Sequence, residues 1–335
     1  MLKTLIESLL RPATPQGLVR RWRGVNAAGR KKIEHALRAH YFSQAINHMG
    51  LGEKGYLATD EGRLDLANHL EGRLCNDRRE VIPWLESLIR LSESRILEIG
   101  CGTGSSTVAL AEQAAVVTGL DVNSRNVEVA RERCSAYGLY PEFIVGNATE
   151  IGDWATPSGY ELVIFFATLE HLTISERLAA LRAAWACVTP GGLMVIFEAP
   201  NRLWWFDGHT ARLPFFHWLP DELAVPVSRE SPRPWMRELY GGVDFPSPEK
   251  MLDFARRGRG VSYHEIMIAL GREATLAVRG DLLSWRRSNL PLAKLKWRLS
   301  RNGRYQRLLR AFAGGIPSAY FERDLSLALE KAHEN

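Results

Sequence analysis

The sequence predicts a doubly wound α/β fold, and three observations support that class. Apolar segments and amphipathic helical segments alternate between residues 95 and 199, with short connections between them. The apolar segments are nearly uninterrupted, as expected for parallel strands that are covered on both faces. The first of them runs into Gly100, Gly102 and Gly104, which allow a tight turn before a helix opens.

The elements of this core follow in a regular order. We predict strands over residues 94–99, 115–122, 142–145, 161–166 and 193–198, and helices over 105–113, 124–137 and 174–188. An Asn-Ser pair at 123–124 favours the start of the second helix. Pro190, Gly191 and Gly192 end the third.

Outside the core, the sequence predicts an N-terminal cap, a lid, and further strands with a helical insertion. Residues 1–75 are expected to form a helical N-terminal cap, with an amphipathic helix over 2–10, and residues 76–200 the core. Residues 201–260 separate two strand-like runs, and so long a connection predicts a lid. Residues 261–335 are expected to add strands at 261–268 and 325–329, interrupted by a basic helical insertion over 272–318.

Composition excludes several classes of protein. With 335 residues, 46% of them hydrophobic and 24% charged, the chain has enough apolar material for a core, unlike a disordered or collagen-like chain. We find no apolar run long enough to span a membrane and no secretion signal at residues 1–15. The four cysteines are too scattered for a metal knuckle or a redox pair, and too few for a disulfide framework. We therefore expect a cytoplasmic protein.

Charge is unevenly distributed along the chain. Residues 1–40 carry a net +7 and residues 272–318 a net +9, although the whole chain carries only +5, so the remainder has a net charge of −11. Two basic flanks on an acidic body suggest an anionic partner, for example the inner face of a membrane, to which the protein would bind peripherally. Solvated helix faces are the alternative explanation.

The glycine turn also carries a clue about its ligand. Glu98 lies two residues before Gly100, where a carboxylate would repel the pyrophosphate of a dinucleotide and attract a cationic group. The spacing of Gly100, Gly102 and Gly104 also differs from the G-x-G-x-x-G pattern of nicotinamide sites. Both details favour a ligand that carries an ammonium or sulfonium group over a nicotinamide cofactor.

This segment resembles the first motif of class I S-adenosylmethionine-dependent methyltransferases, (D/E)-x-G-x-G-x-G. The resemblance implies a Rossmann-like sheet of seven strands and S-adenosyl-L-methionine as the cofactor. It also implies that Asp121, at the end of the second strand, accepts hydrogen bonds from the ribose hydroxyls. Asn147 would accept a bond from the adenine amino group, in place of the family's usual Asp. The complete set of predicted cofactor residues is Glu98, Gly100, Cys101, Gly102, Gly104, Asp121, Val122, Asn147 and Ala148.

The fourth strand ends in a run similar to that of family members that methylate small-molecule hydroxyls. It contains Leu169, Glu170, His171 and Leu172 at the edge where parallel strands meet their ligand. A hydroxyl needs a general base to become a good nucleophile, so we predict His171 as that base, with Glu170 orienting its imidazole. Some relatives have E-x-x-E-H at this point and bind a divalent metal. Ala167 replaces the first glutamate here, so we expect no metal and keep a site made of Glu170, His171 and His209 as the alternative.

The predicted lid is rich in aromatic residues, six of the twenty between 201 and 220. Aromatic faces with interleaved polar groups suit a sugar or quinone ring. The run is similar to that of bacterial methyltransferases encoded in cell-surface polysaccharide clusters. We predict His209 as a second base, substrate clamp or metal ligand. The expected substrate contacts are Asn201, Trp204, Asp207 and His217.

Together these observations predict O-methylation of a glycan or lipid-linked sugar. A quinone or phenol is the alternative acceptor, because ubiquinone O-methyltransferases share the L-E-H run. RNA ranks lower because no RNA-binding module is recognisable, although aromatic residues do lie among the basic ones of 272–318. A nicotinamide-dependent oxidoreductase and a non-catalytic binding module are the remaining alternatives.

Overall fold

The computed structural model describes residues 22–43, 52–114, 116–288, 297 and 299–333. The helix predicted over residues 2–10 lies outside them. The described residues contain a seven-stranded mixed sheet with helices on both faces, as predicted. Its strands are β1 Arg95–Ile99, β2 Val116–Asp121, β3 Glu142–Val145, β4 Tyr160–Phe166, β5 Val188–Pro200, β6 Val278–Asp281 and β7 Asp324–Glu330.

The strand order creates the edge at which the site forms. The order across the sheet is β3-β2-β1-β4-β5-β7-β6. Strands β1 to β5 pair in parallel, and β7 is antiparallel to both β5 and β6. The order reverses direction between β1 and β4, so the carboxyl ends of these two strands flank the crevice of a doubly wound fold.

Helices cover both faces of the sheet and build its flanks. Thr173 begins one of them with a capping box, in which its side chain and that of Glu176 satisfy each other's backbone N–H groups. In chain order the helices are α1 Ala27–Ala36, α2 Glu53–Leu57, α3 Asp60–Ala67, α4 Arg73–Asn76, α5 Ile82–Glu86, α6 Ser105–Ala111, α7 Ser124–Ala136, α8 Ile174–Cys187, α9 Asp221–Val227, α10 Pro234–Tyr240, α11 Pro248–Ala255, α12 Tyr263–Leu270, α13 Arg272–Leu276, α14 Leu282–Ser288 and α15 Arg301–Phe312.

The predicted strand over residues 261–268 is wrong. Only Val261 makes a β-bridge, to Asn201, and residues 263–270 form helix α12. A short apolar run is compatible with either element, and here packing decides. The helix lies against α8, where buried Glu265 pairs with Arg177 at 3.0 Å. The sixth strand is β6, which lies inside the segment that the sequence predicts as an insertion.

The core consists of three apolar clusters. One joins the sheet to the N-terminal helices, α6 and α7, and a second joins the other face to α8 and α12. The third is a small core within the lid, built around Phe216, Tyr240 and Phe254. Within the described residues, no helix combines the length and the apolar character needed to cross a bilayer.

Candidate active site

The turn between β1 and α6 depends on its glycines, all three of which have a left-handed backbone. A Cβ atom on Gly100 would lie 1.8 Å from the hydroxyl oxygen of Thr168, and one on Gly104 would lie 2.8 Å from the Cα of Ala130 in α7. A Cβ atom on Gly102 would meet no atom within 4 Å. Two glycines therefore permit close packing, whereas Gly102 borders open space.

A cavity of about 520 Å³ lies beside this turn. Its size falls in the usual range of small-molecule sites. The predicted cofactor residues that line it are Gly100, Cys101, Gly102, Asp121 and Val122. The structure thus brings the first motif and the end of β2 together, as the sequence predicts.

Asp121 connects the end of β2 to the glycine turn. Its carboxylate accepts hydrogen bonds from the backbone N–H groups of Gly102 and Asn123, both at 2.8 Å. Burial raises the pKa of Asp121, and these two bonds oppose that rise. A carboxylate oxygen accepts more than one hydrogen bond, so this side chain retains the capacity to accept from sugar hydroxyls.

A smaller recess of about 90 Å³ continues past Asp121 and shares Gly100 with the larger cavity. Asn147 and Ala148 line it, together with Val122. The side-chain oxygen of Asn147 already accepts the N–H of Thr149 at 3.1 Å, which leaves one lone pair for a ligand. The recess therefore continues the cavity toward the end of β3, where the resemblance to class I methyltransferases predicts the adenine.

The side chain of Glu98 does not make the cofactor contact that the sequence predicts. Its side chain is fully buried beneath the turn and does not line the cavity. It accepts hydrogen bonds from the hydroxyls of Ser106 and Thr107, which attach it to the first turn of α6. Burial raises the pKa of Glu98 to about 7. The structure thus replaces the predicted cofactor contact with a role in holding α6 against β1.

The N-terminal helices supply cavity residues that sequence analysis missed. Arg73 and Asp77 lie four residues apart and both line the cavity, as does buried His69. Burial raises the pKa of Asp77 and lowers that of His69 to about 2. The i,i+4 spacing of Arg73 and Asp77 is visible in the sequence, but it is equally typical of solvent-exposed helices.

These groups fit the predicted cofactor. Asp77, Asp121 and Glu198 surround the cavity with carboxyl groups, and Arg73 adds a guanidinium. S-adenosylmethionine carries a sulfonium, an ammonium and a carboxylate, so it presents an opposite charge to each kind of group. A Cβ atom on Gly102 would occupy the open space beside the turn. Without it, a ligand can approach the backbone N–H groups of the turn closely.

His171 lies in the same cavity as the glycine turn. Its Nδ1 is 2.9 Å from the carbonyl oxygen of Arg256, so the proton is on Nδ1 and Nε2 is left as an acceptor. Burial lowers the pKa of His171, which keeps the ring neutral at pH 7. The side chain is nevertheless 49% exposed, so a ligand reaches it.

Glu170 does not orient this imidazole in the way that the sequence predicts. Its Oε1 is 4.0 Å from Nε2 of His171, beyond hydrogen-bond distance, and the Arg256 carbonyl sets the ring orientation. Neither carboxyl oxygen of Glu170 has a hydrogen-bond partner in the described part of the chain. Burial raises the pKa of Glu170 to about 8. Arg177 holds the backbone of Glu170 through its carbonyl oxygen at 3.3 Å.

His209 comes from the lid and lies next to His171, with 6.0 Å between ring centroids. Burial lowers the pKa of His209 to about 4, and the repulsion that two protonated rings would experience beside each other adds to this effect. Potential ligand atoms of Glu170, His171 and His209 all lie within 4.8 Å of one another. The structure therefore assembles the three residues that the sequence predicts for catalysis or, as the alternative, for a metal.

The four predicted substrate contacts are wrong, since all of them are buried in the protein. Asn201 donates to the carbonyl oxygens of Tyr320 and Glu322, and Trp204 stacks on Trp297. Asp207 pairs with His217 at 3.1 Å. The polar and aromatic residues of this stretch stabilise the lid through contacts within the protein. The same composition is also typical of sugar-binding sites, so composition alone does not separate the two roles.

Asp207 nevertheless influences the site, because its carboxylate holds the backbone of the turn that contains His209. Its carboxylate accepts the N–H groups of His209, Thr210 and Ala211. These bonds, together with His217, lower the pKa of Asp207 to about 2. Asp207 thereby fixes the turn that carries His209 and is a positioning residue.

Comparison with known proteins agrees with this geometry. Residues 96–192 match a family model described as a methyltransferase domain. Ubiquinone biosynthesis O-methyltransferases from Pseudomonas fluorescens and Stutzerimonas stutzeri are 28% and 31% identical over 121 residues, which are 36% of this chain and 50% of each relative. The chain thus spans about half the length of the curated relatives it matches.

Solved structures give a weaker likeness. CalS10, an amino pentose methyltransferase from Micromonospora echinaspora solved with bound S-adenosylmethionine, is 23% identical, with a TM-score of 0.35 over 44% of this chain and 58% of that one. With a TM-score this low, the comparison does not support a fold assignment, which rests on the strand order of the sheet.

Proposed function

We propose that this chain methylates a hydroxyl oxygen of its acceptor, from the premise that residues 96–192 form a class I S-adenosylmethionine-dependent methyltransferase domain. One observation supports the proposal above all others. His171, with its acceptor nitrogen unprotonated, lines the same cavity as Gly102 and Asp121. A base and a cofactor turn in one cavity are what oxygen methylation requires.

The chain's own residues supply orientation and a proton acceptor. When bound, the cofactor supplies an electrophilic methyl group on a sulfonium. Nε2 of His171 takes the proton of the acceptor hydroxyl as its oxygen attacks the methyl carbon. S-adenosylmethionine bound beside Gly102 and Asp121 would supply the methyl group and would leave as S-adenosylhomocysteine, with the methyl ether as the other product. The Arg256 carbonyl stabilises the imidazolium that forms, because it accepts the hydrogen bond from Nδ1.

For the acceptor we propose a sugar hydroxyl of a glycan or lipid-linked sugar. The lid supports this because it retains Phe215 and Trp218, each 48% exposed, next to its buried aromatic residues. Aromatic faces of this kind stack on sugar rings. The alternative acceptor is a quinone-type phenol, which the names of the ubiquinone relatives favour.

The same three residues also fit a divalent cation as a second candidate role. The favouring observation is the buried carboxyl of Glu170, which has no partner in the described residues and lies beside two neutral imidazoles. Carboxylate and imidazole are common ligands of divalent metals, which would lower the pKa of a bound hydroxyl. We expect activity to survive EDTA because Nε2 of His171 needs no metal. Loss of activity that Mg²⁺, Mn²⁺ or Zn²⁺ restores would assign the three residues to a cation instead.

Two measurements test the proposal in sequence. Calorimetry should show that the chain binds S-adenosylmethionine and S-adenosylhomocysteine, and absence of binding would refute the proposal. Incubation with methyl-labelled cofactor should then label a cell-envelope glycan or lipid fraction, with a catechol or quinol as the competing acceptor. Label on the phenol alone would favour the alternative. The His171→Ala variant should keep its affinity for S-adenosylhomocysteine and lose methyl transfer.

We also propose that α15 contacts an anionic membrane. Arg304, Leu308 and Phe312 follow one another at a spacing of four residues, which places them along one side of this helix. All three are exposed, with Leu308 at 52% and Phe312 at 82%. Arginines around apolar side chains are typical of helices that lie in a membrane interface. Lys294, Lys296 and Arg298 of the predicted basic flank lie outside the described residues.

A further inference from the structure

A second large cavity, of about 430 Å³, lies between the lid and helix α3. Its lining includes Arg212, Arg233 and Trp235 from the lid and Glu61 from α3, with Glu238 also at its wall. We call it the arginine cavity. It is separate from the cofactor cavity, and none of its residues belongs to the sequence motifs of the methyltransferase domain.

The two arginines of this cavity lie near carboxyl groups without forming a close ion pair to any described residue: the charges of Asp207 and Glu61 act on Arg233, and Glu238 lies at the cavity wall. In the part of the chain that the structure describes, neither Arg212 nor Arg233 forms an ion pair, although many other arginines do. Burial lowers the pKa of Arg233, and the nearby charge of Arg212 lowers it further. Two guanidinium groups that repel each other favour a bound oxyanion between them, and their planar forks suit phosphate or carboxylate.

The backbone supports this arrangement. Arg212 has a left-handed conformation with φ +55, which a non-glycine residue adopts only when its surroundings enforce it. It follows Ala211, whose N–H is held by the carboxylate of Asp207. Asp207 also fixes the N–H of His209. One anchored turn therefore positions both Arg212 and His209.

This turn connects the arginine cavity to the reacting centre. His209 and Arg212 lie three residues apart on this turn, and the charge of Arg233 contributes to the lowered pKa of His209. His209 in turn contacts His171. A ligand that bridges the two cavities would thus place an anionic group at Arg212 and Arg233 and a hydroxyl near His171.

We propose that the arginine cavity binds the anionic group of the acceptor, a phosphate or a carboxylate attached to a sugar. The inference rests on the proposed function and narrows its acceptor to an anionic sugar. Glu61 and Glu238 disfavour a bare anion by repulsion and accept hydrogen bonds from sugar hydroxyls. Trp235 provides an aromatic wall for the sugar ring.

Titration calorimetry on the protein loaded with S-adenosylhomocysteine tests the inference. The probes are glucose 1-phosphate, glucuronate and neutral glucose, so that the first two distinguish phosphate from carboxylate. We expect at least one anionic probe to bind and glucose to bind at least about tenfold more weakly. The double variant R212Q/R233Q should lose at least about tenfold in affinity for the anionic probe. The variant R229Q/R272Q removes the same charge from exposed positions elsewhere and should bind normally.

Three results would overturn the inference. These are equal binding of glucose and the anionic probes, unchanged binding by R212Q/R233Q, and no binding of either anion at millimolar concentration. Affinity for S-adenosylhomocysteine should be the same in all variants, which shows that they are folded. If the wild-type chain fails to bind S-adenosylhomocysteine, the proposed function fails. The sugar titrations on the unloaded protein then still decide whether the cavity recognises anions.

Discussion

A single hydrogen bond selects the tautomer of the proposed base. The Arg256 carbonyl accepts from Nδ1 of His171, so Nε2 faces the cavity as an acceptor. The carbonyl oxygen belongs to the backbone just after α11, and therefore the lid sets the chemistry of a residue at the end of β4. Sequence analysis found His171 from its motif, but no motif contains the residue that orients it.

The pH dependence of methyl transfer follows from this arrangement. Burial lowers the pKa of His171 below its ordinary 6.5, and the reaction needs the neutral ring. Activity should therefore be constant near neutrality and fall as pH decreases through the lowered pKa. We expect the acid limb of kcat/KM at an apparent pKa below 6.5. The His171→Ala variant should lose on the order of 10²–10⁴-fold in kcat and keep its cofactor affinity. A wild-type profile with no acid limb would contradict the role of His171.

Glu170 gives a second prediction, this one about stability. Its pKa is raised to about 8 from an ordinary 4.5, so the folded state binds a proton that the unfolded state releases. This contribution to stability is complete at acid pH and is lost as pH rises through about 8. Denaturant unfolding in EDTA should show that wild type loses more stability than Glu170→Gln between acid and alkaline pH, by an amount on the order of a few kcal/mol. Exposed Glu71→Gln is the matched control and should behave like wild type.

At the scale of elements, two glycines of the same turn should have different roles: Gly104 affects stability, whereas Gly102 affects ligand binding. Gly102→Ala and Gly104→Ala both introduce a Cβ at positive φ, so they share a backbone cost of roughly 1–2 kcal/mol. The Cβ on Gly104 also meets the backbone of Ala130 at 2.8 Å, whereas that on Gly102 meets nothing within 4 Å. Gly104→Ala should therefore lower the free energy of unfolding by about 1–3 kcal/mol more than Gly102→Ala does.

Ligand binding should show the reverse order for these two variants. Gly102 lines the cavity, so its added methyl group should weaken binding of S-adenosylhomocysteine by calorimetry. Gly104 lies away from the cavity wall, and the folded fraction of its variant should bind with near-normal affinity. Equal losses of affinity would show that the turn responds as one unit.

The elements that sequence predicts well are those whose signals are local. Strands β1 to β5 and the helices between them follow from apolar runs, caps and glycines. The strand predicted over residues 261–268 is wrong because a short apolar run fits a strand or a helix, and packing against α8, including the ion pair of Arg177 with Glu265, favours the helix. The prediction for the lid aromatics fails for a related reason. Trp204 is buried against Trp297, a partner 93 residues away that no pattern near residue 204 indicates.

Across the whole molecule, the site is assembled from four distant parts of the chain. Arg73 and Asp77 come from the N-terminal helices, Asp121 from β2, His171 from the end of β4 and His209 from the lid. Residues of the lid and Glu61 of α3 also line the arginine cavity together. Tertiary packing alone creates these combinations, which explains why motif analysis recovered the cofactor turn and missed the N-terminal contributions.

The exposed side of α15 gives a prediction for the intact protein. The helix is held to the lid because Tyr305 donates to the carbonyl oxygen of Leu203 at 2.8 Å, and Arg301 lies over the ring of Trp205. It therefore presents Leu308 and Phe312 on a fixed support. We expect the protein to float with vesicles that contain phosphatidylglycerol and not with phosphatidylcholine alone, because each arginine near an anionic surface contributes about 1 kcal/mol. Added salt should release it.

Two variants test whether this helix is the contact. L308S/F312S should reduce vesicle binding because it removes the apolar insertion, and R304Q/R310Q should reduce it because it removes charge. Phe245→Ser changes a phenylalanine that is 97% exposed elsewhere on the lid, and it should bind vesicles like wild type. All variants should retain cofactor affinity. If vesicle binding persists in both helix variants, α15 is not the membrane contact, and binding to RNA in place of vesicles would assign the basic surface to a nucleic acid.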